Sequence, residues 1–249
     1  MNETITIATR SHKVILREDD KTIKMFDADF SKADILNEAL NLARVEETGI
    51  AVPKLLGVNT VDGKWSIVTK YIDGVPLSKL MKDNPEKLDE YLNMFTDLQM
   101  SIHAHRCPGL RKMKDKFSQK ITDSDLSGNT KWELSMRLEA MPTKIRLCHG
   151  DFNPSNILIT GDGTPFILDW AHATQGNASA DVARTYLLFC LKGSTEIADR
   201  YFDIYCEKSG RDKRYVQKWL PIVAATQSVK KIDSEREFLN KWIDVVWYE

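Results

Sequence analysis

CHGDFNPSNILITGDGTPFILDW, residues 148–170, is the most informative segment of the chain. Two short apolar runs, 157–159 and 165–168, flank a polar segment that contains two glycines. This pattern is typical of a β-hairpin, in which the glycines allow the chain to reverse. A hairpin here would return Asp169 to the neighbourhood of Asn156. The sequence therefore predicts a small region in which a carboxylate and an amide meet.

The side chains of this segment suit the transfer of a phosphoryl group. Asn156 and Asp169 offer oxygen ligands of the kind that Mg²⁺ prefers. Asp151 lies five residues before Asn156, at the other end of the same loop, where it could accept the proton of a hydroxyl. Taken singly, Asp and Asn in loops more often cap turns or bond the backbone. As a spaced set, these three residues predict a phosphoryl-transfer centre that uses magnesium.

The pattern H-G-D-x-x-x-x-N followed by D-W resembles the signature of the aminoglycoside phosphotransferase and choline kinase family. Members of that family are small-molecule kinases with a protein-kinase-like fold. The matching residues are His149, Gly150, Asp151, Asn156, Asp169 and Trp170. The resemblance implies that Asp151 is the catalytic base, that Asn156 and Asp169 are metal ligands, and that His149 supports the loop. Asp181 is similar to a family aspartate that begins a helix and steadies this loop.

The resemblance extends towards the N-terminus, where the family binds its nucleotide. Lys24 occupies the strand position at which the family has a phosphate-binding lysine, and Glu38 would be its partner on the next helix. The loop expected over the phosphates, residues 7–13, contains no glycine, although Ser11 and nearby amides could contact phosphate. The segment resembling the hinge that binds adenine consists of Thr69, Lys70, Tyr71 and Ile72. Singly, such residues are usually solvated surface charges or an ordinary linker.

The first seventy residues predict strands and one helix. Residues 14–17 and 22–26 favour β-strands and flank a polar turn, which predicts a hairpin or meander. Residues 55–58 and 65–68 flank another turn and predict a second antiparallel pair. Between these pairs, the capping-box residues Ser31 and Asp34 open a helix over residues 32–48.

Helical spacing of apolar residues dominates beyond residue 74. Helices are expected at 88–102, around 132–138, at 181–191, 195–208 and 215–229, and from Ser234, where Ser234 and Glu237 form a second capping box. The prediction is an α+β, two-lobed protein-kinase-like fold. Its N-terminal lobe, residues 1–73, carries an antiparallel sheet and one helix and ends in a hinge at 69–73. Its C-terminal lobe, residues 74–249, is mostly helical.

Composition narrows the choice of partners. The chain has 249 residues, of which 42% are hydrophobic, and its 35 Lys and Arg nearly balance its 36 Asp and Glu. There is thus no overall basic field to favour nucleic acid or an anionic membrane surface, and no run of eighteen apolar residues. The four cysteines form no CxxC pair, which indicates reduced thiols and a cytoplasmic location.

The sequence therefore predicts a magnesium-dependent kinase that resembles aminoglycoside phosphotransferases. It would transfer the γ-phosphate of a nucleoside triphosphate, ATP or GTP, to a hydroxyl of a small molecule, with neither nucleic acid nor membrane as partner. Alternative acceptors are choline, ethanolamine or thiamine. A nucleotide-binding pseudokinase is a second alternative. A third is a two-metal phosphoesterase, for which the candidate ligands are His149, Asp151, Asn156, Asp169 and His172.

Overall fold

A computed structural model describes residues 4–10, 12–61 and 63–244 of the chain. The chain forms two compact units. The first contains the residues up to 85 together with 154–172, and the second contains 86–153 and the residues from 173 onwards. The lobe boundary at residues 69–73, which was inferred from the change in element type, stays a prediction.

Both units are built from short strands and helices. In chain order the strands are β1 (Thr4–Arg10), β2 (Lys13–Glu18), β3 (Lys21–Phe26), β4 (Leu55–Val61), β5 (Lys64–Lys70), β6 (Gly74–Pro76), β7 (Arg146–Cys148), β8 (Ile157–Thr160), β9 (Pro165–Ile167) and β10 (Thr174–Gly176). The α-helices are α1 (Lys32–Glu46), α2 (Leu77–Asp83), α3 (Leu88–Ala104), α4 (Met113–Asp123), α5 (Gly128–Ala140), α6 (Ala178–Leu191), α7 (Thr195–Ser209), α8 (Lys213–Gln217), α9 (Leu220–Ser228) and α10 (Asp233–Ile243). Among the described residues, no helix is both long and apolar enough to cross a bilayer.

The first unit is an antiparallel sheet with the strand order β1-β2-β3-β5-β4. Helix α1 packs on this sheet around Phe26, Ile35, Ala39 and Ile67, which are buried. Ser31 caps α1 by accepting a hydrogen bond from the backbone N–H of Asp34. Both predicted strand pairs and the capped helix are confirmed.

The predicted hairpin of the central segment is also confirmed. Strands β8 and β9 pair with Ile157 opposite Ile167, and β6 adds to the other edge of β8. The backbone N–H of Ile167 donates to the carbonyl of Ala51 at 3.0 Å, and that of Leu168 donates to the carbonyl of Asn156 at 2.8 Å. These bonds place the hairpin within the first unit and bring the end of β9 beside Asn156.

The second unit is mostly helical, as the sequence predicts. Its aromatic centre is Phe95 on α3, whose ring lies 4.5 Å from that of Phe152, 5.6 Å from Phe189 and 5.5 Å from Tyr201. Strand β7 pairs with β10, so that Cys148 lies opposite Thr174. This pairing fixes the point from which the chain enters the loop that contains Asp151.

Two predicted helix boundaries are wrong. The segment 215–229 forms two helices, α8 and α9, because Pro221 lacks an N–H group and is accommodated in the first turn of α9 rather than inside a continuous helix. The capping box at Ser234 does not form: α10 begins at Asp233 without a side-chain cap bond. The carboxylate of Glu237 pairs instead with Lys241, one turn further along the helix.

Gly176 provides a test of the packing that supports β10 and β7. A Cβ atom at this position would lie 2.5 Å from Cβ and 2.8 Å from Sδ of Met113. Since real Cβ atoms do not approach this closely, Gly176→Ala should lower the free energy of unfolding by about 1–3 kcal/mol, measured by denaturant titration. Gly161→Ala is the matched control, because nothing lies within 4 Å of its added Cβ. Equal stability of the two variants would contradict this packing.

Candidate functional site

The first unit contains a cavity of about 480 Å³, a volume in the range of small-molecule binding sites. It is walled by the β-sheet, by α1, and by the ends of β8 and β9. Its lining residues are Ile7, Ala8, Arg10, Lys13, Ile15, Thr22, Lys24, Glu38, Leu42, Pro53, Ile67, Thr69, Lys70, Tyr71, Ile72, Gly74, Pro76, Ser155, Asn156, Leu158, Leu168, Asp169 and Trp170. All the predicted nucleotide-binding residues other than Ser11, and both predicted metal ligands, therefore line one cavity. Ser11 lies outside the described residues.

The cavity holds a cluster of charged side chains. The ammonium group of Lys24 forms ion pairs with Glu38 and, at 3.2 Å, with Oδ1 of Asp169. Lys13 Nζ lies 3.4 Å from Oδ2 of the same Asp169 carboxylate. In the β2–β3 ladder Lys24 lies opposite Ile15, and Lys13 is two residues from Ile15. Because alternate residues of a strand share a face, both lysines point to the same side of the sheet.

The protonation of this cluster follows from burial and from the neighbouring charges. Burial opposes ionisation of Asp169, but Lys24 and Lys13 outweigh this effect and hold the pKa of the carboxyl well below its usual value. Burial likewise opposes the charge on Lys24, yet Asp169 and Glu38 raise its pKa. Asp169 is therefore an anion and Lys24 a cation throughout the physiological pH range. Lys13 differs, because burial dominates and lowers its pKa.

Asp169 adopts an unusual backbone conformation. Its φ angle is +61°, in the left-handed region, which costs a residue other than glycine about 1–2 kcal/mol. The following residue holds this turn, since the indole N–H of the buried Trp170 donates to the carbonyl of Ile167 at 3.1 Å. The side-chain amide of Asn41, on α1, donates to the carbonyl of Trp170 at 3.3 Å. The strain is thus retained by buried contacts that aim the Asp169 carboxylate into the cavity.

The predicted hinge, residues 69–72, also lines the cavity. The backbone N–H of Lys70 donates to the carbonyl of Lys54 at 2.9 Å, and that of Tyr71 donates to the carbonyl of Asp20 at 2.7 Å. These two amides are engaged within the protein. The guanidinium of Arg17 also stacks on the Tyr71 ring, 3.9 Å from its centroid, which fixes the position of this side chain.

Lys13 was missed by the sequence analysis. The β1–β2 connection is tight, because Arg10 and Lys13 are already cross-strand partners, and both side chains line the cavity. A glycine-rich loop would present backbone amides to an anion, whereas here cationic side chains occupy the corresponding edge. The register of the β2–β3 hairpin could have identified Lys13, because it places Lys13 on the same face of the sheet as Lys24.

Asp151 belongs to the second unit and lies in a loop whose backbone is hydrogen-bonded to Asp181. The buried Asp181 carboxylate accepts hydrogen bonds from the backbone N–H groups of His149 (3.1 Å) and Gly150 (2.7 Å) and from Nε2 of His103 (3.0 Å). Burial would raise the pKa of Asp181, but these hydrogen bonds and the neighbouring histidines lower it. The ring of His149 accepts a hydrogen bond from the N–H of Asp151 through Nδ1, so it supports the loop as expected.

A second residue of α6 acts on Asp151 directly. The buried guanidinium of Arg184 lies 3.9 Å from Oδ1 of Asp151. Thr185, its neighbour, donates a hydrogen bond to the carbonyl of Phe152 at 3.1 Å. Asp181, Arg184 and Thr185 follow i, i+3, i+4 spacing and so share one face of the helix. The sequence analysis recognised only Asp181, although this spacing could have identified the other two.

Asn156 and Asp169 have the side-chain chemistry of magnesium ligands. Asn156 and Asp169 offer an amide oxygen and an ionised carboxylate in one cavity, which are the hard oxygen donors that Mg²⁺ requires. Two other groups of His, Cys, Asp or Glu among the described residues have ligand-like spacing. They consist of His103, Cys148 and Asp181, and of His12, Asp27 and Asp29. Neither group includes Asp151 or Asp169, so the phosphoesterase alternative gains no support.

Asp181→Asn should destabilise the protein by about 3 kcal/mol at pH 7, because the new NH₂ group would face backbone N–H donors in a buried site. The native pKa of Asp181 is lowered, so its contribution is present above the unfolded pKa of about 3.9 and declines as the pH falls below that value. The difference in unfolding free energy between wild type and variant should therefore shrink below about pH 4. Glu90→Gln, at an exposed carboxylate, should show no such difference. A pH-independent loss in Asp181→Asn would contradict the assignment.

Comparison with known proteins identifies the family. Residues 7–218 match the model of the phosphotransferase enzyme family, whereas no curated protein matches significantly in sequence. An aminoglycoside-3'-phosphotransferase of type VIII has a TM-score of 0.68 and 17% identity, over 90% of this chain and 93% of that one. A thermostable mutant of aminoglycoside phosphotransferase APH(4)-Ia, in complex with AMP-PNP and hygromycin B, has a TM-score of 0.72 and 15% identity, over 97% and 92%. Choline kinase LicA from Streptococcus pneumoniae has a TM-score of 0.65 and 15% identity, over 95% and 86%. The predicted kinase-like fold is confirmed, and the chain belongs to the phosphotransferase enzyme family.

Proposed function

We propose that this phosphotransferase moves the γ-phosphate of a nucleoside triphosphate, most simply ATP, to a hydroxyl group of a small molecule and depends on magnesium. The observation that carries the proposal is the single cavity lined by Lys24, Glu38, Asn156, Asp169 and the hinge segment. The cavity combines apolar walls, which suit a base, with a charged end, which suits phosphates. A similar fold binds AMP-PNP in the aminoglycoside phosphotransferase complex.

Lys24 and Lys13 would neutralise the phosphates of the nucleotide. Lys24 is held by Glu38 and Asp169, so its ammonium group is positioned before a ligand arrives. Lys13 lies at the tight β1–β2 connection, where it replaces the amide contacts that a glycine-rich loop would make. The hinge residues Thr69–Ile72 would contact the base.

Asn156 and Asp169 would hold the magnesium ion. When bound, the metal neutralises charge on the phosphates and on the departing diphosphate. The ionised state of Asp169 favours this role, because a metal ligand must be deprotonated. The left-handed turn at Asp169 fixes where its carboxylate points.

Asp151 would act on the acceptor. Its carboxylate takes the proton of the acceptor hydroxyl as that oxygen bonds to the γ-phosphorus, and the bond from the γ-phosphorus to the oxygen of the departing diphosphate breaks. Arg184 lies beside this carboxylate at 3.9 Å, and the Asn153 side chain donates to the Asp151 carbonyl at 2.9 Å. Asp181 acts on the reaction through the loop, as a positioning residue.

The presence of the complete set weighs against a pseudokinase, because a protein that only binds nucleotide has no need of Asp151 and its buried support. The thiols of Cys148, Cys190 and Cys206 are buried and form no disulfide, which suits a reducing compartment, and we propose a cytoplasmic location.

Asp151→Asn should lower the rate of phosphoryl transfer by about 10²–10⁴-fold, because the amide cannot accept the hydroxyl proton. The measurement is magnesium-dependent release of ADP from ATP, with water or with a panel of hydroxylated acceptors. The affinity for AMP-PNP should stay unchanged, since Asp151 does not line the cavity.

The matched control is Asp162→Asn, which makes the same chemical change at an exposed position in the β8–β9 turn. Its turnover should equal that of the wild type. Undiminished turnover in Asp151→Asn would refute the role of this residue.

A further inference from the structure

The second unit contains a group of cations that we call the basic cluster, and one of them, Arg184, lies 3.9 Å from Oδ1 of Asp151. It consists of Lys116 and Lys120 together with Arg111, Arg184 and Lys230, whose charges act on one or both of these lysines. Lys116 and Lys120 lie one turn apart on α4, so they share one face of that helix. Both are half-buried, and Arg184 is buried.

Burial and the neighbouring cations both disfavour the charged state of Lys116 and Lys120. Burial is the largest effect on Lys116 and lowers its pKa to about 7, and Lys120, Arg184 and Arg111 lower it further. Burial also lowers the pKa of Lys120 to about 8, again with a contribution from neighbouring cations. Among carboxylates, Asp151 has the largest effect on the two lysines, and it raises the pKa of each.

Such an arrangement is costly, because like charges repel and burial penalises the charges of Lys116, Lys120 and Arg184. Perturbed groups of this kind collect at functional sites. The cost is offset when an anion binds, since a carboxylate or phosphate can accept charge-assisted hydrogen bonds from lysine and arginine. The cluster adjoins the residue to which the acceptor hydroxyl must come.

We propose that the phosphate acceptor is an anionic hydroxylated molecule, whose carboxylate or phosphate group is bound by Lys116, Lys120 and Arg184 while its hydroxyl faces Asp151. This inference rests on the proposed function, because it takes Asp151 as the group that receives the hydroxyl proton. The same cations repel a polycation or a quaternary ammonium compound, so they select against such acceptors.

Calorimetric titration of the protein loaded with Mg²⁺ and AMP-PNP, at low ionic strength, tests the inference without any need for turnover. Gluconate supplies a carboxylate with hydroxyl groups, and glycerol 3-phosphate supplies a phosphate with hydroxyl groups. Saturable binding of gluconate alone would identify a carboxylate site, and that of glycerol 3-phosphate a phosphate site. Kanamycin and choline should show no saturable binding. Binding of neither anion, or saturable binding of either cation, would overturn the proposal.

The double variant Lys116→Gln with Lys120→Gln assigns the binding to the cluster. Glutamine retains a polar side chain of similar reach but removes the charge, so the affinity for the bound anion should fall by roughly tenfold or more. Lys114→Gln on the same helix is the matched control. Lys114 donates to the carbonyl of Glu139 and is not among the charges that act most strongly on Lys116 or Lys120, so its replacement should leave the affinity unchanged.

The affinity of the double variant for AMP-PNP tests the alternative that the basic cluster binds the nucleotide phosphates. If the double variant weakens AMP-PNP binding and leaves anion binding intact, the cluster serves the nucleotide phosphates and the inference is wrong. Failure of the proposed function would be seen elsewhere, as undiminished ATP turnover in Asp151→Asn. The two failures therefore give different results in different assays.

Discussion

The carboxylate of Asp169 lies between two ammonium groups, and much of the first unit is arranged to hold it there. Lys24 and Lys13 reach it from neighbouring strands of the sheet. The β8–β9 hairpin delivers it beside Asn156, and the buried Trp170 stabilises the left-handed turn that aims it. An anion in this position is stable only because the cations face it, so the sheet and the hairpin depend on each other for a working site.

In the other unit, a buried carboxylate, that of Asp181, holds the loop that contains Asp151. Asp181 satisfies two backbone N–H groups of the loop that contains Asp151, and its partner His103 is itself buried. Arg184, one turn further along α6, lies against Asp151. A single helix therefore supports the loop and also sets the charge around the residue proposed to act on the acceptor.

Local patterns predicted much of this arrangement. The hairpin turn, the capped α1 and the family signature are all encoded by residues close in sequence, which is why they could be inferred without a structure. Lys13 and Arg184 were not predicted as site residues, because each contacts a site carboxylate that is far from it in the sequence. Ser234 shows the converse, since a capping-box pattern is only one of several pairings open to its glutamate, and a helical neighbour competed for Glu237.

In the proposed function, the first unit binds and orients the nucleotide, and the second unit selects the molecule that receives the phosphate. This proposal requires Asp169 to hold magnesium against a nucleotide in the cavity of the first unit. Calorimetric titration of AMP-PNP into wild type and Asp169→Asn, with and without Mg²⁺, tests this most directly. Wild type should bind more tightly when Mg²⁺ is added. The variant should bind at least as well as wild type without the metal, because Lys24 and Lys13 are released to the phosphates, and should gain little from Mg²⁺. An equal gain from Mg²⁺ in both proteins would contradict the account.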